Sequence, residues 1–173
     1  MTDLKALIRN IPDFPKPGIV FRDITPLVAD GPAWRETVGR IAERYRGRVD
    51  IVLGVESRGF LIGSAVAYAL GCGIAVVRKP GKLPAAIFHA SYALEYGTDT
   101  LEIHQDAFLP GSRVLVVDDL LATGGTAQAA MTLVRQLRGE VVEAAFIIEL
   151  TFLNGRQCLA PHEVFSLIQY DSE

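Results

Sequence analysis

The segment Val114–Thr126 constrains the fold of this chain more than any other. Its four aliphatic residues, Val114–Val117, predict a strand that is buried on both faces, as in a parallel sheet covered by helices. Asp118 and Asp119 follow at the expected exposed end of that strand, and a Thr-Gly-Gly-Thr turn leads into a helical pattern near Ala127. Ligands of open α/β sheets bind beyond the carboxyl ends of the strands, so this segment predicts a binding site.

The turn after the two aspartates has the features of an anion-binding loop. It comprises Ala122, Thr123, Gly124, Gly125 and Thr126. A glycine-rich turn at a helix N-terminus directs free backbone N–H groups and the positive end of the helix dipole at an anion. Asp118 and Asp119 would repel a phosphate, so we expect them to face neutral hydroxyl groups. A ribose 5-phosphate satisfies both requirements. In the simpler alternative, the acids merely end a strand and Thr123 caps a helix.

Composition and charge favour a compact enzyme that consists of one globular domain, residues 1–173. Half of the residues are hydrophobic and 21% are charged, and the chain is long enough to bury a sizeable core. A net charge of −3 argues against nucleic acid or an anionic membrane as partner. The chain has no membrane-length apolar run, no signal-peptide pattern and two widely separated cysteines, so we expect a cytoplasmic protein.

Strands and helices alternate along most of the sequence. Apolar runs predict strands over 19–23, 51–55, 74–77, 114–117, 141–150 and 164–168. Helical spacing predicts helices over 4–11, 34–45, 59–70 and 125–138. This alternation predicts an α/β fold with a parallel sheet, right-handed crossovers and flanking helices.

Residues 80–105 interrupt the alternation. Gly97, Thr98 and Asp99 mark a turn whose flanks are expected to pair as a hairpin. Long excursions between core strands are uncommon unless they cover a binding site, so we expect a lid. The alternative is a solvent-exposed hairpin with no role in binding.

The segment Val114–Thr126 resembles the signature of the type I phosphoribosyltransferases, which bind 5-phosphoribosyl-1-diphosphate (PRPP). Within that family the whole chain is most similar to the enzymes that act on adenine. The motifs that carry the resemblance are Pro12–Gly18, Val20–Pro26, Glu56–Phe60, Arg78–Pro84, Tyr92–Gly97 and Glu149–Thr151. The resemblance implies a small N-terminal hood over residues 1–33 and a flexible hairpin lid over about 80–105.

The same resemblance implies the reaction. Adenine and PRPP give AMP and pyrophosphate with inversion at the anomeric carbon, in purine salvage. Magnesium is expected to be bound mainly through PRPP and pyrophosphate, with no metal ligand assigned to the protein. A homodimer is also implied, with no nucleic-acid or membrane partner.

Several residues are assigned to the leaving pyrophosphate. The loop Glu56–Gly59 follows a predicted strand and opens a helix, and the resemblance implies a cis peptide bond between Glu56 and Ser57. The candidate binding residues are Ser57, Arg58, Arg78, Lys79 and Lys82. Arg58 is also assigned to catalysis, whereas Arg78 and Lys82 are candidates to act in the neighbouring subunit. The alternative for each cation is a solvated surface charge.

Adenine is expected to bind the N-terminal segment. The resemblance implies that Phe21 and Leu150 contact the two faces of the purine, with ordinary core packing as the alternative. Val20 and Phe21 have no polar side chain, so the adenine edge is expected to be read by the main chain at Val20 and Arg22. Ala122 counts against 6-oxo purines, because enzymes for those bases usually carry aspartate at this position.

Glu95 is assigned to the proton that leaves adenine, and Tyr96 to covering the ribose during transfer. The sequence leaves three roles for Glu95: base, acid or hydrogen-bond partner. Two other functions stay open. One is a phosphoribosyltransferase for a different base, and the other is a PRPP-sensing regulatory protein without turnover.

Overall fold

The structure is a computed structural model that describes residues 2–93 and 97–173. The strands in this part of the chain are β1 (Arg9–Ile11), β2 (Phe21–Asp23), β3 (Ile51–Val55), β4 (Gly73–Val77), β5 (Ile87–Ala93), β6 (Thr98–His104), β7 (Arg113–Leu121), β8 (Glu140–Leu150) and β9 (Val164–Tyr170). The α-helices are α1 (Thr25–Ala29), α2 (Gly31–Tyr45), α3 (Arg58–Leu70), α4 (Gly125–Gln136) and α5 (Gly155–Leu159). Short 3-10 turns cover Leu4–Leu7 and Thr151–Leu153.

Five strands form a parallel sheet in the order β4-β3-β7-β8-β9. Helix α4 packs on one face of the sheet, and α1, α2 and α3 pack on the other. The central strand shows why its sequence is aliphatic throughout. Val114 and Val116 contact the α4 side while Leu115 and Val117 contact the opposite side, and all four are fully buried. The predicted α/β fold is therefore confirmed. None of the described helices is long and apolar enough to cross a membrane.

Strand β7 continues past the point where the sequence predicts its end. It pairs with β8 as far as Leu121, which lies opposite Glu149. Asp118 and Asp119 therefore lie within the strand, and Asp119 is only 4% exposed. The prediction that both acids occupy an exposed strand end was wrong, because pairing with β8 holds the chain extended beyond them.

Two smaller β-structures flank the sheet. Strands β1 and β2 pair antiparallel, so the helix predicted over residues 4–11 is confined to the 3-10 turn at Leu4–Leu7. Strands β5 and β6 pair as an antiparallel hairpin that begins at the pair Ala93–Thr98. Thr98 and Asp99, predicted as turn residues, thus belong to β6.

Candidate functional site

Two cavities adjoin at the carboxyl edge of the parallel sheet. The first, of about 370 Å³, has a mainly polar lining and is called the polar cavity. It is lined by Glu56, Ser57, Arg58, Lys79, Tyr92, Leu101, residues 118–127 and Phe146. The second, of about 390 Å³, is mainly apolar and is called the apolar cavity. It is lined by Ile19, Val20, Phe21, Arg22, Arg58, Leu120, Ala122, Thr123, Leu150, Phe152, Leu153 and Glu173. The residues that line both are Arg58, Leu120, Ala122 and Thr123.

The loop between β7 and α4 forms one wall of the polar cavity. Gly124 has a φ of +90°, in the left-handed region, and a β-carbon there would lie 2.7 Å from the carbonyl oxygen of Gly155. Only glycine suits both constraints. Gly124 is also the N-cap of α4 and offers no side chain to its first turn, which leaves helix N–H groups for an anion.

The two aspartates of β7 differ in their surroundings. Asp119 accepts a hydrogen bond from the Arg58 guanidinium and forms an ion pair with it. Asp118 packs beneath α3, where a β-carbon on Gly59 would lie 2.8 Å from Oδ1. Burial, and then the neighbouring Asp119 carboxylate, raise the pKa of Asp118 well above its usual range. The site therefore holds one charge-paired carboxylate beside one that retains its proton more tightly.

Asp118→Asn is expected to stabilise the protein at neutral pH. A carboxyl whose pKa is raised by folding stabilises the folded state below its unfolded pKa, and this stability is lost as pH rises through the folded pKa. Asparagine removes that loss and can still accept the 2.9 Å hydrogen bond from the Asp119 N–H. The melting temperature of the variant relative to wild type should therefore rise as the pH increases above the unfolded pKa of aspartate, about 4.

Asp50→Asn provides a control of opposite sign. Hydrogen bonds from Arg113 lower the pKa of Asp50 to about 2, so its carboxylate stabilises the fold above the unfolded pKa. Its loss should lower the melting temperature at neutral pH, with a difference that shrinks in acid. Equal pH profiles for Asp118→Asn and wild type would contradict the environment assigned to Asp118.

The loop before α3 brings further charged groups to the polar cavity. The peptide bond between Glu56 and Ser57 is cis, as the resemblance implies. The Glu56 carboxylate accepts hydrogen bonds from the Arg78 guanidinium at 3.2 and 3.3 Å and from the Lys79 N–H at 2.7 Å. The Lys79 ammonium pairs with Asp99 of the hairpin.

The basic candidates thus divide into two groups. Arg58 and Lys79 line the polar cavity, as Ser57 does. Arg78 and Lys82 do not line it, and Arg78 is directed at Glu56.

The residues assigned to adenine meet in the apolar cavity. Val20, Phe21, Arg22 and Leu150 all line it. Arg22 is 6% exposed, and its side chain donates to Asn10 Oδ1 at 2.7 Å and stacks on the Tyr170 ring. We therefore expect Arg22 to contact a ligand through its main chain. Arg58 lies over the Phe21 ring, with 5.0 Å between its guanidinium carbon and the ring centroid.

Some cavity residues were not predicted from the sequence. Tyr92 lines the polar cavity, and a β-carbon on Gly125 would lie 3.3 Å from its ring. The alternation of buried Ala90 and Tyr92 along β5 was the available signal. Phe152 and Leu153 line the apolar cavity, although no periodic pattern surrounds them. Glu95 and Tyr96, assigned to catalysis, lie outside the described residues.

Comparison with known proteins identifies the family. Residues 28–168 match the model of the phosphoribosyl transferase domain. The adenine phosphoribosyltransferase of Chloroflexus aurantiacus is 59% identical over 169 residues, which cover 97% of this chain and 98% of the relative. The chain belongs to the adenine phosphoribosyltransferase family.

Solved structures of the family share the whole architecture. The adenine phosphoribosyltransferase of Thermoanaerobacter pseudethanolicus is 51% identical, with a TM-score of 0.95 and coverage of 97% of this chain and 98% of that one. The Saccharomyces cerevisiae enzyme, complexed with adenine and an imino-altritol bisphosphate, is 41% identical, with a TM-score of 0.90 and coverage of 95% and 96%. The present chain is accordingly an enzyme of purine salvage that transfers the 5-phosphoribosyl group of PRPP to adenine and gives AMP and pyrophosphate.

Proposed function

We propose that the polar cavity binds the phosphoribosyl group of PRPP and the apolar cavity binds adenine. The 5-phosphate binds the loop of Ala122, Thr123, Gly124, Gly125 and Thr126, and the ribose hydroxyls face Asp118 and Asp119. The observation that carries this division is the shared wall, since Arg58, Leu120, Ala122 and Thr123 border both cavities. The anomeric carbon of a ribose bound at that boundary lies next to a base bound in the apolar cavity.

Ser57, Arg58 and Lys79 receive the pyrophosphate. Arg58 pairs with Asp119 and Lys79 with Asp99, so both cations lie at the cavity wall and are partly desolvated. Pyrophosphate offers each a more highly charged partner and competes for it. Arg78 and Lys82, which do not line the polar cavity, serve the pyrophosphate of the neighbouring subunit.

Transfer forms the bond from adenine N9 to the anomeric carbon as the bond to pyrophosphate breaks, with inversion. Positive charge develops on the ribose in the transition state, and the Asp119 carboxylate stabilises it more than the ground state. Glu95 takes the proton released by adenine, and Tyr96 covers the ribose. The hairpin, within a lid of residues 80–105, excludes water during transfer, and residues 1–33 form the hood over the base.

The polar cavity suits a magnesium ion that arrives with PRPP. Magnesium prefers oxygen ligands and keeps several water molecules, and Asp118 and Asp119 place carboxyl oxygens at the cavity wall, where they could accept hydrogen bonds from that water. When bound, the ion neutralises charge on the leaving pyrophosphate. The protein residues themselves position the ribose and the base.

A panel of bases tests the proposed specificity. Purified protein is assayed with PRPP and magnesium against adenine, hypoxanthine, guanine and xanthine. We expect turnover with adenine alone, because Ala122 borders both cavities and offers no carboxylate to a 6-oxo purine. Turnover of another base would assign a different specificity, and PRPP binding without turnover would assign a regulatory role. The reaction is proposed to take place in the cytoplasm.

A homodimer is proposed to pair through the exposed face of α3. Leu61 and Tyr68 lie seven residues apart on this helix and are 51% and 89% exposed. The double change Leu61→Glu and Tyr68→Glu is expected to convert a dimer into a monomer in light scattering, because it places two charges in an apolar interface. Leu109→Glu, at another exposed leucine, is the control and should leave the mass unchanged. An unchanged dimer in the double variant would contradict this interface.

A further inference from the structure

The phosphate-binding loop rests directly on the backbone of α5. A β-carbon on Gly155 would lie 2.3 Å from the carbonyl oxygen of Ala122, and one on Gly124 would lie 2.7 Å from the carbonyl oxygen of Gly155. The two main chains are therefore in contact with no side chain between them. Any displacement of Gly155 is transmitted to the loop, because closely packed groups cannot absorb it.

Residue 156 follows this contact in the chain and is bound to the end of β8. The hydrogen bonds between Arg156 and Glu149 are called the clamp. Arg156 donates two hydrogen bonds of 2.6 Å, from Nε and Nη2, to the two oxygens of Glu149. Its third nitrogen, Nη1, donates to the carbonyl oxygen of Val164 at 2.6 Å. Ser166 also donates to Glu149 at 2.6 Å, and Gln169 donates at 3.3 Å. Such a bidentate pair fixes orientation as well as distance.

The charge of Glu149 is maintained although its side chain is 3% exposed. Burial raises the pKa of Glu149, but hydrogen bonds from Arg156 and Ser166 outweigh burial and lower the pKa overall. The carboxylate is thus ionised at neutral pH, and the ion pair with Arg156 is intact when the enzyme works.

The clamp joins the two ends of the segment 149–156, which lines part of the apolar cavity. Between Glu149 and Arg156 the chain passes through Leu150, Phe152 and Leu153, all of which line that cavity. Glu149 itself pairs with Leu121, the last residue of β7 before the phosphate-binding loop. One ion pair therefore fixes both ends of a short segment that lines the apolar cavity on one side and adjoins the loop on the other.

We propose that Arg156 is a positioning residue for phosphoribosyl transfer, which through Glu149 holds the phosphate-binding loop and the wall of the adenine cavity in one fixed relation. The residue lines neither cavity and contributes no group to the chemistry. Its effect arises because the 5-phosphate and the base must be held together in the geometry of attack, where a displacement of 1 Å costs on the order of 100-fold in rate. The inference rests on the division of the two cavities proposed above.

Arg156→Lys tests the proposal, since lysine keeps the charge but cannot form the two parallel hydrogen bonds. The chain supplies a matched control in Arg44, which pairs with Glu143 near the other end of β8. The two pairs have nearly the same exposure, 43% and 3% for Arg156 and Glu149, and 42% and 2% for Arg44 and Glu143. Arg44→Lys therefore weakens a comparably exposed pair in which neither residue lines the polar or the apolar cavity.

Both variants are expected to have a lower melting temperature than wild type. Only Arg156→Lys should weaken AMP binding in calorimetry, by at least about tenfold, raise the KM values for PRPP and adenine together, and lower kcat. Glu149→Gln should behave as Arg156→Lys does, with Glu143→Gln as its control. Measurements are made below the melting transition of each variant.

Unchanged AMP affinity in Arg156→Lys, or an equal loss in Arg44→Lys, would overturn the proposal and leave the pair with a role in stability alone. An increase in the KM for adenine without one for PRPP would also overturn it, because the loop would then be independent of the clamp. Failure of wild-type protein to bind AMP would refute the proposed division of the cavities instead.

Discussion

Gly125→Val is expected to weaken AMP binding by about 100-fold or more, because a branched side chain at the first residue of α4 separates the backbone from the 5-phosphate. Each charge-assisted hydrogen bond to the phosphate contributes about 1.5–3 kcal/mol, so the loss of two gives at least about 100-fold. The same position lies against the hairpin, since a β-carbon on Gly125 would be 3.3 Å from the Tyr92 ring and 3.5 Å from the Ala93 carbonyl oxygen. Valine therefore also displaces the strand that closes the polar cavity.

Calorimetric titration with AMP measures the effect, with the melting temperature as the test of folding. Gly39→Val is the matched control, because Gly39 lies on an exposed face of α2 and a β-carbon there would have no neighbour within 4 Å. Its cost in helix stability is comparable, but its distance from the cavities should leave AMP affinity unchanged. Equal AMP affinity in Gly125→Val and wild type would remove this loop from the phosphate site.

The core of the fold was predictable because its signal is local. Buried parallel strands need uninterrupted aliphatic runs, and Val114–Val117 alternates between two helix layers as that pattern requires. The predicted helix over residues 4–11 failed for the opposite reason. Strand β1, Arg9–Ile11, exists through its pairing with β2, and no helical periodicity can reveal a partner ten or more residues away.

The part of the candidate site that could be predicted from the sequence is the part formed by one continuous motif. The proposed phosphate-binding loop follows from glycines between a strand and a helix, whereas the ion pair of the buried Asp119 involves Arg58, which lies sixty-one residues away. Helix α5 has five residues, too few for a periodic pattern, and its role emerges only from the contact between Gly155 and Gly124. A contact between two backbones does not change the hydrophobic pattern of the sequence, so only the glycines indicate it.

The position of the hairpin relative to the loop bears on the catalytic assignment of Glu95. Tyr92 and Ala93, the last described residues before it, lie against Gly125 of the phosphate-binding loop. On the other side of the turn, Asp99 pairs with Lys79 at the wall of the polar cavity. Both strands of the hairpin thus reach the proposed PRPP site, as a hairpin that carries a catalytic residue requires.

Glu95→Gln is expected to lower kcat by about 100-fold or more, with little change in the KM for PRPP. Glutamine keeps the size and hydrogen-bonding capacity of glutamate but cannot take the proton that adenine N9 must lose during attack, and general base catalysis contributes about 10²–10⁴-fold. Because the change acts on the transition state, kcat and kcat/KM should fall together. Steady-state kinetics with adenine and PRPP measures both constants, and calorimetry with AMP shows whether the site remains formed.

Glu140→Gln is the control for this experiment. Glu140 is exposed at the first residue of β8, so the substitution makes the same chemical change at the amino end of the sheet. Its kcat should stay within about a factor of two of wild type, as for most surface substitutions. If Glu95→Gln behaved in the same way, the carboxylate would be a solvated acid of the hairpin. If the KM for adenine rose while kcat held, Glu95 would bind the base without moving its proton. Only a fall in kcat at unchanged AMP affinity assigns proton transfer to Glu95, because that result separates the chemical step from the binding of either substrate.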